Sequence, residues 1–304
     1  MIPLPVSEQP ANPVPYALPN TEGANRIMAV IISFNGGSKL LETVRALIGQ
    51  VEHLHIIDNG SSEPTQAILD VLEAFQGVSI TRLAENLGIG AALNLGVAKA
   101  RAGGFAWLLT MDQDSRADQD MVRAFKECIQ ADSTRVCLTP TLVVHGTPGS
   151  EEEMEVAYAI TSGNLVKLEL FEQIGLYNED MFIDCVDFDF CLRLQAKGHR
   201  IFRVGKARLH HELGDPHQTN RPLARFYTQH SPLRRYYMYR NFLMLWEKHS
   251  RGFPWFMFKF FLAHLILFIL IPFYDIQAQK SLTAIILGVL DYSHGCTGKC
   301  PRTF

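Results

Sequence analysis

Ala106-Trp-Leu-Leu-Thr-Met-Asp112-Gln-Asp-Ser115 is an apolar strand that runs straight into two carboxylates. The reading of the whole chain turns on it. A continuous apolar run of this length fits a parallel strand buried on both faces. Upstream lies a second such run, Ile27-Met-Ala-Val-Ile-Ile-Ser33, broken by Phe34-Asn-Gly-Gly37. From Ser38 to Ile48 the apolar residues recur at helical spacing (Leu40, Leu41, Val44, Leu47, Ile48). The strand Leu54–Ile57 then enters the turn cluster Asp58-Asn-Gly-Ser-Ser62. A helix to about Phe75, a strand Val78–Arg82, the loop Glu85-Asn-Leu-Gly-Ile-Gly90 and a helix Ala91–Ala100 complete the series. Strand and helix alternating in this way predict an α/β, doubly wound sheet, in which ligands sit beyond the carboxyl ends of the strands. The polar clusters fall at those ends: Ser33 to Asn35, Asp58 to Ser61 and Asp112 to Ser115.

Two carboxylates at i and i+2 share one face of a strand, and at a turn they can converge on one divalent cation. Asp112 and Asp114 are therefore candidate ligands for Mg²⁺ or Mn²⁺, which would stabilise a departing diphosphate; the alternative is a capped turn on a solvated loop. Asp58, followed by the tight Asn59-Gly60 turn, can accept from a nucleobase imide. Asn86-x-Gly88-x-Gly90 with Asn94 resembles a phosphate loop entering a helix N-terminus, although the spacing is neither a Walker loop nor the dinucleotide fingerprint. Ser33, Asn35, Asp58, Asn59, Asn86, Gly88, Asn94 and Asp112 form the candidate donor-nucleotide set.

The second half is less regular. It contains an acidic stretch (Glu151–Glu155), a strand and turn around Thr161-Ser-Gly-Asn164 and an expected helix near Val166 to Ile174. In Asp184-Cys-Val-Asp187-Phe-Asp189, the i, i+4 spacing pairs Asp189 with Arg193 structurally. Asp187 is the candidate general base, able to take the proton of an attacking hydroxyl. The competing view is a charged helix start with Asp184 as N-cap. His211, one of a His-His pair behind a candidate strand Arg200–Val204, could complete a metal site or touch a diphosphate.

In order, these strings are similar to the inverting GT-A glycosyltransferases of family 2, and within it the bacterial rhamnosyltransferases of surface polysaccharide assembly. The resemblance rests on Ile31-Ile-Ser-Phe-Asn35, Ile57-Asp-Asn-Gly-Ser61, Glu85-Asn-Leu-Gly88, Ala92-Leu-Asn94-Leu-Gly96 and Met111-Asp-Gln-Asp-Ser115. It continues through Thr161-Ser-Gly-Asn164, Phe182 to Arg193, His211 to Asp215 and the Arg-Arg-Tyr-Tyr run from Arg234 to Asn241. It implies a base contact for Asp58, a ribose or metal contact for Asp112, metal ligation by Asp114 and His211, and the catalytic base at Asp187. Where many members carry Glu-Asp, Val186 precedes Asp187 here, which looks like the rhamnosyltransferase form. The implied donor is dTDP-L-rhamnose and the implied acceptor a saccharide, in particular a lipid-linked one. Another nucleotide sugar, or a non-catalytic sugar-nucleotide-binding scaffold, is the alternative. A nucleotidyltransferase would want a basic Gly-rich loop after the first strand, and Asn35-Gly-Gly-Ser-Lys39 is a poor version of it.

The expected organisation is an extended arm over 1–25, a GT-A catalytic domain over 26–220 (nucleotide half 26–115, acceptor half 116–220) and a helical region over 221–304. A net charge of -3 argues against nucleic acid as a partner. The Pro-rich first residues lack the apolar segment of a secretory signal, and six scattered cysteines fit free thiols in a reducing cytosol. The run Phe253–Phe273 has the length of a spanning helix but carries Lys259 and His264. With Arg234, Arg235, Arg240, Lys248, Arg251 and several aromatics before it, the expectation is peripheral attachment to the cytoplasmic face of the inner membrane.

Overall fold

The computed structural model describes residues 25–144, 147–211 and 227–304, so nearly all of the expected arm, the rest of the His211 to Asp215 string and the 220/221 boundary lie outside the described residues. The elements in chain order are β1 (Ile27–Ser33), α1 (Gly37–Leu47), β2 (His53–Asp58), α2 (Thr65–Glu73), β3 (Val78–Arg82), α3 (Ile89–Ala102) and β4 (Trp107–Asp112). There follow β5 (Arg116–Ala117), α4 (Met121–Ala131), β6 (Cys137–Val144), β7 (Thr147–Pro148), β8 (Met154–Val156), β9 (Asn164–Lys167) and α5 (Leu170–Ile174). A short 3₁₀ turn at Glu179–Met181 leads into α6 (Val186–Ala196) and β10 (Ile201–His210). Three helices follow: α7 (Pro232–His249), α8 (Pro254–Tyr274) and α9 (Ala278–Ser293).

The main path of the sheet runs β3-β2-β1-β4-β9-β6-β10-β5. β3, β2, β1 and β4 are parallel, as the apolar runs predict, and β9 joins β4 antiparallel. The central strand β1 is buried over all seven residues, and its alternate side chains feed two cores. Ile27, Ala29 and Ile31 pack with Leu40, Val44, Leu69, Leu72 and Phe125 from α1, α2 and α4. Met28, Val30 and Ile32 pack on the other face with Leu93 and Val97 of α3 and with Val186 and Phe190 of α6. The same second core takes Phe242 and Leu245 from α7 and Met257 from α8, so the C-terminal helices are built into it.

Two expectations need correction. The helix expected from Val166 is a strand there: Asn164–Lys167 is hydrogen-bonded between β4 and β6, and α5 begins only at Leu170. An apolar segment with sheet neighbours on both sides satisfies its backbone laterally, which overrides local helical spacing. Part of the basic and aromatic run from Arg234 to Arg251 is buried in the body, and of its basic and aromatic residues only Arg234, Trp246, Lys248 and Arg251 are exposed. Arg235, Tyr236, Tyr237 and Arg240 are at most 1% exposed, and Arg235 and Arg240 stack on tyrosine rings.

Beyond α9 the last residues return to the body. Gly298 N donates to Asp180 O (2.7 Å), Cys300 N to the Tyr237 hydroxyl (2.6 Å), and Lys299 Nζ pairs with Glu85 (2.7 Å).

Candidate active site

β1 has β2 on one side and β4 on the other, so the chain reverses its winding between β1 and β4. That is where an open α/β sheet leaves a crevice. Gln113 sews the two strand ends together. Its Oε1 accepts from Phe34 N (2.7 Å) and its Nε2 donates to Phe34 O (3.2 Å). The Asp112 N–H donates to Ser162 Oγ at 3.2 Å. Both contacts fix the direction in which Asp112 and Asp114 leave the sheet.

The crevice opens into a cleft of about 540 Å³. Its lining brings Phe34, Asp112, Gln113 and Asp114 of the β1 and β4 ends together with Phe182, Asp184, Asp187 and Arg234, and with Asn59, Asn86, Gly88 and His211. Of the residues singled out from sequence, Asn59, Asn86, Gly88, Asp112, Asp114, Asp187 and His211 therefore meet in one cavity.

The asparagines act on backbone. Asn59 Oδ1 accepts from Leu87 N (2.9 Å) and its Nδ2 donates to Gly88 O (3.2 Å), while Asn86 Oδ1 accepts from Gly88 N (2.9 Å). Gly88 has φ +90°, and a Cβ there would lie 2.7 Å from Phe182 O. Only glycine lets this loop lie against Phe182.

Four expected donor residues are placed otherwise. Asp58 is fully buried and folds back on its own turn, accepting from Ser61 N (3.2 Å) and Gln66 Nε2 (2.8 Å). Ser33 is buried beneath Gln113, and Asn35 accepts from Ser62 N at 3.0 Å. None of the three lines the cavity. Asn94 lies further off: its amide donates to Tyr177 O (3.0 Å) and Glu179 (2.7 Å) and accepts from Tyr177 N (2.9 Å), tying α3 to the segment before the 3₁₀ turn. Asn94 thus clamps two segments together rather than lining the cleft.

The carboxylates are electrostatically crowded. Burial pushes Asp112 up to about 6, the charge of Asp114 adds to this, and Arg234 offsets it in part. Burial likewise pushes Asp187 up to about 7, with Asp184 and Asp112 adding to it and the Phe188 N–H opposing. Two carboxylates held together at an unfavourable cost form a hard oxygen donor set that fits Mg²⁺ or Mn²⁺. His211 shares their cavity, with Nδ1 2.8 Å from Ser115 Oγ. Among the described residues no three such ligands converge in one ready-made cluster.

Asp189 is turned away from the cleft, bonded to Arg193 Nε (2.8 Å) as its i, i+4 spacing predicts, and also to His249 (2.9 Å) and Lys248 (2.8 Å). Asp184 does not cap α6; Cys185 occupies that position without a side-chain bond, and Asp184 accepts from Arg234 Nη2 (3.0 Å) and Nε. The segment between the 3₁₀ turn and α6 is strained: Phe182, Asp184 and Cys185 have φ of 61°, 63° and 66°. Each such residue costs on the order of 1–3 kcal/mol.

Sequence reading missed Arg234, a cation among the cleft carboxylates, because its neighbours in the run are basic too. It also missed Gln113, whose role depends on a strand pairing 79 residues away.

With this geometry the chain belongs to glycosyl transferase family 2, whose family model matches residues 28–186, from β1 to the first residue of α6. It is a glycosyltransferase of the GT-A fold. It is 27% identical over 255 residues to the dTDP-rhamnosyl transferase RfbF of Shigella flexneri, a match spanning 74% of this chain and 81% of that protein. S. aureus TarS 1–349, solved in complex with UDP-GlcNAc, superposes with a TM-score of 0.61 at 15% identity over 89% of this chain and 81% of that one. GalNAc-T7, solved with UDP, GalNAc and Mn²⁺, superposes with a TM-score of 0.54 at 17% identity. That match covers 62% of this chain and 44% of the other.

Proposed function

We propose that this glycosyltransferase moves L-rhamnose from dTDP-L-rhamnose to a saccharide acceptor, with inversion at the anomeric carbon and Asp187 as general base. The observation that carries the mechanism is that Asp187 lines one cleft with Asp112 and Asp114. The donor assignment leans on the similarity to RfbF.

In this reading the nucleotide lies along the β1–β4 crevice, against the backbone that Asn59 and Asn86 shape. Asp112 and Asp114, with His211 beside them, would hold Mg²⁺ or Mn²⁺. The cation supplies charge that stabilises the departing nucleoside diphosphate. Asp187 takes the proton of the acceptor hydroxyl as that oxygen bonds to the anomeric carbon. The bond from that carbon to the diphosphate oxygen breaks on the opposite side. Asp187 needs to be ionised, and a group near neutrality is well matched to that task. Arg234 holds Asp184 beside the reacting centre.

We further propose that residues 26–220 form the catalytic domain and that 221–304 adds a helical layer lying on the cytoplasmic face of the membrane, where a lipid-linked acceptor is reached. α8 is long and apolar enough to cross a bilayer by length and composition. Support for an in-plane placement comes from its packing. Met257, His264 and Ile271, seven residues apart, are buried against the body, and the Tyr239 hydroxyl donates to His264 O (2.7 Å). Trp255, Phe258, Leu262, Ile269 and Phe273 face outward. Fastened to the body along one side, α8 is read as lying in the interface rather than spanning it.

The test is a panel of nucleotide sugars assayed for binding and hydrolysis with Mn²⁺, Mg²⁺ or EDTA. Metal-dependent selection of dTDP-L-rhamnose is expected. Selection of another sugar nucleotide would overturn the donor, full activity in EDTA would overturn the metal role, and binding without any turnover would favour the non-catalytic scaffold.

A further inference from the structure

Three of the four residues between Met181 and α6 have positive φ without being glycine. Phe182, at φ 61° and ψ −62°, is the centre of a γ-turn closed by Ile183 N donating to Met181 O at 2.7 Å. This turn is rare in L-residues and persists only where its surroundings over-determine it. Here most of the grip comes from one helix. Asn241 Nδ2 on α7 donates to Met181 O (2.7 Å), Ile183 O (2.7 Å) and Asp184 O (3.0 Å). Arg240 Nη2 donates to Asp180 O (3.0 Å) and Met181 O (3.2 Å). Arg240 Nε donates to Asn241 Oδ1 (3.0 Å), which turns the amide nitrogen toward the loop. One turn earlier, the Tyr237 ring stacks on Phe182 with centroids 5.1 Å apart.

Arg240 and Asn241 are at most 1% exposed, so water cannot substitute for them. The loop they grip reaches both sides of the cleft. Phe182 O accepts from Ile89 N (2.6 Å) beside Gly88, and Cys185 hands the chain to the first turn of α6, which carries Asp187.

We propose that Arg240 and Asn241 are positioning residues for sugar transfer: they hold the strained Met181–Cys185 backbone so that Asp187 and Asp184 face the cleft. The inference rests on the reading of Asp187 as base. It makes α7 part of the catalytic apparatus as well as of the helical layer.

The test compares Asn241→Ala and Arg240→Lys with Asp187→Asn in the full chain. It reads kcat for transfer, donor Kd and amide hydrogen exchange by segment. Misplacement of a reacting group by about 1 Å costs about 100-fold. N241A is therefore expected to lower kcat about 100-fold with donor Kd within about threefold. Exchange should rise across residues 182–189 and stay unchanged in β1 and β4. R240K keeps the charge but loses the planar fork, and about tenfold is expected; it carries the test if N241A does not fold. Unchanged kcat and exchange in both variants, with D187N inactive, would overturn the positioning role while leaving the base in place. An active D187N would remove the base assignment; lost kcat and raised exchange in N241A would then still support a positioned loop, acting through Asp184.

Discussion

Replacing Asp189 with alanine removes one carboxylate and leaves three cationic or ionisable groups facing its place. Asp189 has no exposed surface and bonds Arg193 of its own helix together with Lys248 and His249 of α7, so it ties α6 to α7. Removing one member of a buried ion pair costs about 3–5 kcal/mol. Lys248 is 45% exposed and regains water, so its share is small. Arg193 also keeps the Leu176 carbonyl at 2.8 Å, which lowers its loss. The low end, about 3 kcal/mol, is therefore expected, equivalent to a fall in Tm of about 5 °C in a chain of this size. The pH dependence is equally specific. Burial works against the charged form, but His249, Arg193 and Lys248 outweigh it and hold the carboxyl well below its usual range. A depressed carboxyl contributes stability that is present above the unfolded-state pKa of about 4 and is lost as pH falls toward the folded one. Urea unfolding of wild type and D189A at pH 7 and at successively lower pH measures both effects. A gap under about 1 kcal/mol at pH 7, or one that widens toward acid, would refute the reasoning.

Three further expectations concern the cleft and the helical layer. D187N should lower kcat by about 10²–10⁴, and the wild-type rate should climb as pH rises through about 7, because burial raises this carboxyl and only its ionised form accepts a proton; a rate already at its plateau at pH 5 would contradict this. The same raised value means that stability contributed by protonated Asp187 is full below about pH 4 and lost as pH rises through about 7. G88A, which sets a Cβ 2.7 Å from Phe182 O at φ +90°, should weaken donor binding at least about tenfold by titration calorimetry; an unaltered Kd would show that the loop has room. Trp255→Glu with Phe258→Glu should abolish co-flotation with anionic vesicles while leaving transfer to a soluble acceptor intact; unchanged flotation would remove α8 from the membrane reading.

The nucleotide half was legible because its central strands are parallel and buried on both faces, so β1 and β4 stand out as apolar runs ending on polar turns, with β2 close behind although His55 interrupts it. The acceptor half lacks that property. β9 is four residues long and is a strand because β4 and β6 flank it, and neither pairing is written in Asn164–Lys167. α4 has a strongly one-sided apolar pattern (Met121, Val122, Phe125, Cys128), which is legible as a helix, whereas β6 is buried from Cys137 to Thr141 and half-buried at Leu142 and Val144 with Thr and Pro inside it. At the site, carboxylates at strand ends and a helix start were readable as Asp112, Asp114 and Asp187. Which polar residues face the cleft was not. Asp58 and Asn94 share composition with true cavity residues and differ only in which backbone groups lie nearest. Arg235 and Arg240 read as surface charge until tertiary packing enclosed them.

The grip of α7 on the Met181–Cys185 loop also orders events in time. Asn241 and Arg240 follow the carbonyls they bind by 57 to 60 residues, and Gly298 joins the same cluster through Arg240 and Asp180. A chain emerging from the ribosome at roughly 5–20 residues per second completes β1 to β4 well before α7 exists. The parallel strands thus precede the helix on which the Met181–Cys185 backbone depends, and the part of the cleft that carries Asp187 is completed last.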